Sequence, residues 1–201
     1  MTSISEPTAT AGEDTVYVCI DVEASGPVPA PYNLVSIGAV PVLPRTRAGR
    51  PVWEVDESNL FYVELRPLYD GFAPEAMAVH GISRDTLEKN GLPPREAMAA
   101  LVRWTRALGR QPVFVGHNAV FDWSFVNHYF VATGVNNPYG WKALDTKSLA
   151  AGVLGIPFLE TSKENLARLL PGLGPEDTSR KHRADYDALY QARILTLLLD
   201  P

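Results

Sequence analysis

Val16-Tyr17-Val18-Cys19-Ile20-Asp21-Val22-Glu23 is the stretch on which the fold turns. Val16, Val18, Ile20 and Val22 fall on one face of an extended chain, with Tyr17, Cys19 and Asp21 on the other. Apolar side chains on both faces predict a strand in the interior of its sheet. The strand ends in two acids that share the face of Tyr17 and Cys19. Carboxylates there lose hydration and repel each other, so the position calls for a cation. Taken alone, an Asp-x-Glu pair is more often two exposed charges just past a strand end.

Reading outward, Gly26, Pro27, Pro29 and Pro31 mark a loop, and residues 34–43 read as a second strand. Residues 45–51 are expected at a hairpin tip, and 52–65 return as a third strand, interrupted near 57–59. The period then changes to that of helices. Short ones are expected at 74–79 and at 84–89, the latter capped by Ser83, and a longer one at 93–108 with Pro93 and Pro94 in its first turn. Residues 112–115 form a short apolar strand. Asn118 is placed to cap a helix running to 133. A short strand and a helix share 144–154, a helix covers 163–170, 171–180 is a loop, and 185–199 is the last helix. Strands joined by short loops pair antiparallel, and strands joined through helices pair in parallel. The expected fold is α/β: an antiparallel three-strand meander plus parallel strands, flanked by helices.

The chain has 201 residues, 46% of them hydrophobic and 20% charged, which suits one domain with a real core and excludes a wholly disordered chain. Residues 1–14 read as a flexible tail and 15–201 as the domain. No apolar run reaches about 18 residues, and the start lacks a basic-then-apolar leader, so no membrane association and a cytoplasmic location are expected. The single cysteine, Cys19, excludes a disulfide framework and a multi-cysteine zinc site. Net charge is −5, which by itself argues against gripping nucleic acid. Two divalent cations, adding four positive charges, would bring −5 to −1.

Two further acids are out of place. Asp122 shares a helical stripe with Phe125, Val126 and Tyr129, and Asp187 with Tyr190, Gln191 and Ile194. Asp122 therefore lies on a stripe that should face the sheet and Asp187 near the buried side of its helix, although in a first turn Asp122 could equally complement the helix dipole. His182 lies five residues before Asp187, among Arg180, Lys181 and Arg183. Acids from one strand and two helices suit Mg²⁺ or Mn²⁺, which prefer carboxylate oxygen. Two such ions can serve phosphodiester hydrolysis, with a histidine taking the proton of the attacking water.

Asp21-Val-Glu23, Gly116-His-Asn-Ala-Val-Phe-Asp122 and His182-Arg-Ala-Asp-Tyr-Asp187, in this order, resemble the three exonuclease motifs of the DEDD superfamily. A histidine five residues before the last Asp is similar to the DEDDh branch, which includes oligoribonuclease, RNase T and the proofreading subunit of bacterial DNA polymerase III. The resemblance spans about 17–199. It implies an RNase H-like fold and 3′–5′ hydrolysis of DNA or RNA to nucleoside 5′-monophosphates. It implies that Asp21, Glu23, Asp122 and Asp187 hold two Mg²⁺ or Mn²⁺ ions and that His182 is the general base. Val79-His-Gly-Ile82 resembles a family turn near the terminal nucleotide, so His80 is a candidate substrate contact, with Ala24, Gly26 and Asn118. Leu144-Asp145-Thr146 resembles another recurrent segment, in which Asp145 is read as structural support. Asp185 competes with Asp187, and the histidine spacing favours Asp187.

The family's usual Glu-Thr-Thr-Gly is replaced here by Glu23-Ala24-Ser25-Gly26 and a proline-rich stretch, which leaves sugar preference open. The partners expected are single-stranded nucleic acid or the 3′ ends of DNA or RNA. A homodimer is open, since several family members form one. The alternatives are a non-catalytic RNase H-like binding module and a proofreading partner of a polymerase. Arg103, Arg106 and Arg110 are read as a solvated helix face, and Phe72, Phe121 and Trp123 as core.

Overall fold

The computed structural model describes residues 14–200, so the expected tail lies outside the described residues except for Asp14. The first strand, β1 (Thr15–Ala24), lies inside a six-stranded sheet. It pairs antiparallel with β2 (Leu34–Arg47) and parallel with β5 (Gln111–Gly116). Beyond β2 lie β3 (Arg50–Val55) and β4 (Phe61–Glu64), and beyond β5 lies β6 (Ala143–Asp145), which pairs parallel with β5. The meander joined to parallel strands is as expected.

Two details sharpen it. The β2–β3 tip is only Ala48-Gly49, both at positive φ (49° and 78°), the tight turn whose twist matches that of the strands. The strand expected over 52–65 with an interruption near 57–59 is two strands on the same edge of β2, with the break at 56–60. Between them, Asn59 N donates to Asp56 O (3.2 Å) and Ser58 Oγ to Asp56 Oδ1 (2.6 Å). An edge strand can break in this way because only one side is paired.

The helices are α1 (Pro74–His80), α2 (Arg84–Asn90), α3 (Pro94–Ala107), α4 (Ala119–Thr133), α5 (Thr146–Leu154), α6 (Lys163–Leu169) and α7 (Ala184–Leu199). Val16, Val18, Ile20 and Val22 pack with Met98 and Leu101 of α3 and with Phe125, Val126 and Tyr129 of α4. The opposite face, with Cys19 and Val115, takes Ala188, Ala192 and Leu195 of α7. Both faces of β1 are covered, as its composition requires. At Gly38 of β2 a Cβ would lie 2.1 Å from the Ala184 carbonyl, so only glycine lets the start of α7 settle this close to the sheet. Arg110 falls beyond α3, so the expected arginine face shortens to the exposed Arg103 and Arg106.

Candidate active site

β1 delivers Asp21 and Glu23 at its carboxyl end, while α4 and α7 deliver Asp122 and Asp187 from their first turns. Glu23, Asp122 and Asp187 are 8%, 5% and 4% exposed. With Asp21, Asn118 and His182 they line one cleft of about 210 Å³. The five sequence-predicted catalytic side chains therefore meet in one place. Glu23, His182 and Asp187 each offer a ligand atom within 4.8 Å of the others.

Three of the four acids are held by specific partners. Val22 N donates to Asp122 Oδ1 (3.1 Å), tying α4 to β1. His182 N donates to Asp187 Oδ2 (2.7 Å), and Lys163 Nζ donates to Asp187 Oδ1 (2.6 Å). Gln191, fully buried, donates from Nε2 to Asp21 Oδ1 and accepts from His117 N (3.1 Å). His182 itself is exposed and adopts φ 64°, which turns the chain just before α7.

The electrostatics show a cluster short of positive charge. Burial first, then Asp122, lifts Asp21 well above the carboxylate range, with Lys163 opposing. Burial and then Asp187 and Asp122 push Glu23 up to about 8. Burial pushes Asp122 up to about 7 against the Val22 N–H. At Lys163, burial lowers the pKa, but Asp21 and Asp187 more than reverse it, so the ammonium stays charged. Four converging carboxylates, with Asp21, Glu23 and Asp122 raised in pKa, offer hard oxygen donors that fit divalent metal ions.

Asp145 has the supporting role expected of it. Its Oδ2 accepts from Ala119 N (2.7 Å) and its Oδ1 from Ser148 N (2.7 Å), so one carboxylate caps both α4 and α5. Burial pushes it up, but the N–H groups of Ser148 and Ala119 outweigh this and hold it below the usual range. Asn118 is corrected on this point. It precedes α4 in the left-handed region (φ 74°), not the extended conformation from which a side chain caps, and makes no capping bond; Asp145 takes the first N–H instead. Asp185 pairs with Arg183 (3.1 Å) and does not line the cleft, in keeping with the choice of Asp187.

Next to the acids lies an apolar cavity of about 520 Å³, lined by Glu23, Ala24, Gly26, Ala73, Val79 and Phe121 among others. Phe121, expected in the core, is half-buried and lines both cavity and cleft. At Gly26 a Cβ would lie 2.3 Å from the Tyr32 ring. His80 lines neither cavity. It ends α1, and its Nδ1 accepts from Ile82 N (3.1 Å). Lys163 and Gln191 were missed as functional residues. The signal for Gln191 was its place on the buried stripe of Asp187, and for Lys163 a cation at the start of a helix.

Residues 18–195 match the Exonuclease family of the RNase T type. The chain is 37% identical over 186 residues to the 3′–5′ DNA exonuclease Cap18 of Escherichia coli, covering 91% of each. It is 31% identical over 193 residues to ribonuclease T of Yersinia pseudotuberculosis, covering 91% of this chain and 84% of that one. Its fold is similar to the nuclease domain of 3′hExo, a DEDDh family member solved bound to rAMP. There the TM-score is 0.72 at 14% identity, over 95% of this chain and 94% of that one. The chain belongs to the Exonuclease family. It is a 3′–5′ exonuclease with an RNase H-like fold, and the family implies dependence on divalent metal ions. Membership sets aside the non-catalytic alternative. Among the described residues, no helix is long and apolar enough to cross a membrane.

Proposed function

We propose that the chain removes nucleotides from the 3′ end of single-stranded DNA, with Asp21, Glu23, Asp122 and Asp187 holding two Mg²⁺ or Mn²⁺ ions and His182 as general base. The observation that carries this is the convergence of four acids, three of them with raised pKa values, beside an exposed histidine in one cleft. Bound there, such ions lower the pKa of an attacking water and offset charge on the departing oxygen. His182 stands at the cleft mouth, where its imidazole can take one proton from that water. The water oxygen bonds to phosphorus, the bond from phosphorus to the 3′-oxygen breaks, that oxygen takes a proton from solvent to become a 3′-hydroxyl, and a nucleoside 5′-monophosphate leaves.

The chain's other residues position the substrate. Gln191 and the Val22 N–H fix Asp21 and Asp122, so the acids need little rearrangement. The apolar cavity suits the terminal base: Phe121 and Val79 offer apolar surface without a base-reading pattern, so sequence tolerance follows. Ala24 and Gly26 present small residues and backbone at its wall, and Asn118 lines the neighbouring cleft. His80, whose Nδ1 accepts from Ile82 N, is the further candidate contact for the terminal nucleotide.

DNA is preferred over RNA in this proposal because the 37% identical relative is a DNA exonuclease. A cytoplasmic setting belongs to the same reading, since one buried thiol needs no oxidising compartment. A homodimer is the assembly to test, by light scattering. A time course on 5′-labelled single-stranded DNA and RNA, with Mg²⁺ or Mn²⁺ and then EDTA, tests the main claim. The expected result is a metal-dependent ladder shortening from the 3′ end, faster on DNA. Faster RNA cleavage overturns the substrate, and turnover in EDTA overturns the metal reading.

A further inference from the structure

We propose that Lys163 is an internal counter-ion that holds the carboxylate cluster together before metal binds and then yields Asp187 to the metal by turning to Glu176. The proposal rests on the reading of Asp187 as a metal ligand.

Lys163 begins α6, where a cation gains nothing from the peptide dipoles, so the helix does not explain its presence. Its side chain is only 15% exposed, and such burial of an ammonium needs paired charge. Two acids supply it. Nζ lies 2.6 Å from Asp187 Oδ1 and 3.3 Å from Glu176 Oε1. The Glu176 side chain is 7% exposed, and its Oε1 makes no hydrogen bond. A buried carboxylate oxygen without a hydrogen bond is expensive, and here it lies 3.3 Å from an ammonium that could satisfy it. Its other oxygen lies 3.7 Å from Lys181 Nζ.

This gives the lysine two stations. On Asp187 it neutralises the cluster and occupies an oxygen that a divalent ion would need. On Glu176 it completes an unsatisfied acceptor and clears that oxygen. The exchange needs only rotation about the end of a flexible side chain, because both acceptors already flank Nζ. Glu176 also belongs to the loop that leads through Lys181 to His182, so the second station lies in the segment carrying the general base.

The two neighbours therefore act in opposite directions on metal affinity. Lys163→Met removes the competitor, and Glu176→Gln removes the charge that draws the lysine away. Calorimetric titration of the full chain with Mn²⁺, without nucleic acid, reads this directly. Lys163→Met should bind about tenfold more tightly than wild type and Glu176→Gln about tenfold more weakly. In EDTA, Lys163→Met should melt lower, and Mn²⁺ should raise its melting temperature more than it raises that of wild type. Unchanged or weaker Mn²⁺ binding by folded Lys163→Met overturns the handover while wild type still binds. If Lys163→Met does not fold, the isosteric Glu176→Gln decides: wild-type affinity there overturns the proposal. A wild-type chain that binds no Mn²⁺ overturns the metal-site reading itself.

Discussion

Replacing Gln191 by Leu tests whether an acid must be oriented as well as present. Gln191 is fully buried and joins His117 N to Asp21 Oδ1. Leu fills a similar volume and makes neither bond. Losing a hydrogen bond to a carboxylate costs about 1.5–3 kcal/mol, and stranding the part-buried His117 N–H costs about 1–3 kcal/mol. The added apolar burial offsets about 1 kcal/mol. The net loss should be about 1.5–5 kcal/mol, or roughly 3–20 °C in melting temperature for a domain of this size. Partners that orient a metal ligand typically contribute 10–100-fold to affinity or activity, so kcat/KM should fall by about that factor. Urea unfolding gives the first quantity and initial rates on a 5′-labelled oligonucleotide give the second. A variant that loses stability but keeps wild-type kcat/KM and Mn²⁺ affinity would refute the orienting role.

Asp21→Ala should abolish turnover, by about 10³-fold or more. Its melting temperature in EDTA should change little, because relief of repulsion among the acids offsets the loss of the Gln191 hydrogen bond. Turnover near wild type would remove Asp21 from the mechanism. His182→Ala should lower kcat by about 10²–10⁴-fold and leave Mn²⁺ binding largely intact; wild-type activity between pH 6 and 8 would end the general-base assignment. Glu23, at about 8, and Asp122, at about 7, bind protons more tightly folded than unfolded, where carboxyls titrate near about 4. Their contribution to metal-free stability is complete below about pH 4 and is lost as pH rises toward about 8. Melting temperature in EDTA should therefore fall between pH 6 and 8.5, and a rise over that interval would contradict the charge assignment. Gly26→Ala would drive a methyl into the Tyr32 ring, so KM for oligonucleotides should rise; an unchanged KM would show that the cavity wall does not contact substrate.

The elements legible in sequence were those whose pattern is local. β1 announced itself through apolar residues on both faces, and Asp122 and Asp187 through acids on stripes that had to be buried. What escaped depends on distant partners. Gln191 is 170 residues from Asp21, so nothing near it reveals the bond. Lys163 resembles a surface lysine on a short helix until α7 brings Asp187 alongside. Asn118 has the composition of a cap, but the carboxylate that does the capping comes from Asp145, 26 residues away from Ala119. The break between β3 and β4 was faintly visible, but the strand spacing could not reveal that both segments follow one neighbour.

The sulfur of Cys19 is sealed between the sheet and α7, and burial pushes its thiol far above the usual range. Toward maleimides and mild oxidants the folded protein should thus behave as though it had no cysteine. A cysteine introduced at the exposed Val131 or Trp141 would then be the sole reactive handle. Paired with a dye on the oligonucleotide, it would let the approach of a strand be followed in an otherwise native chain.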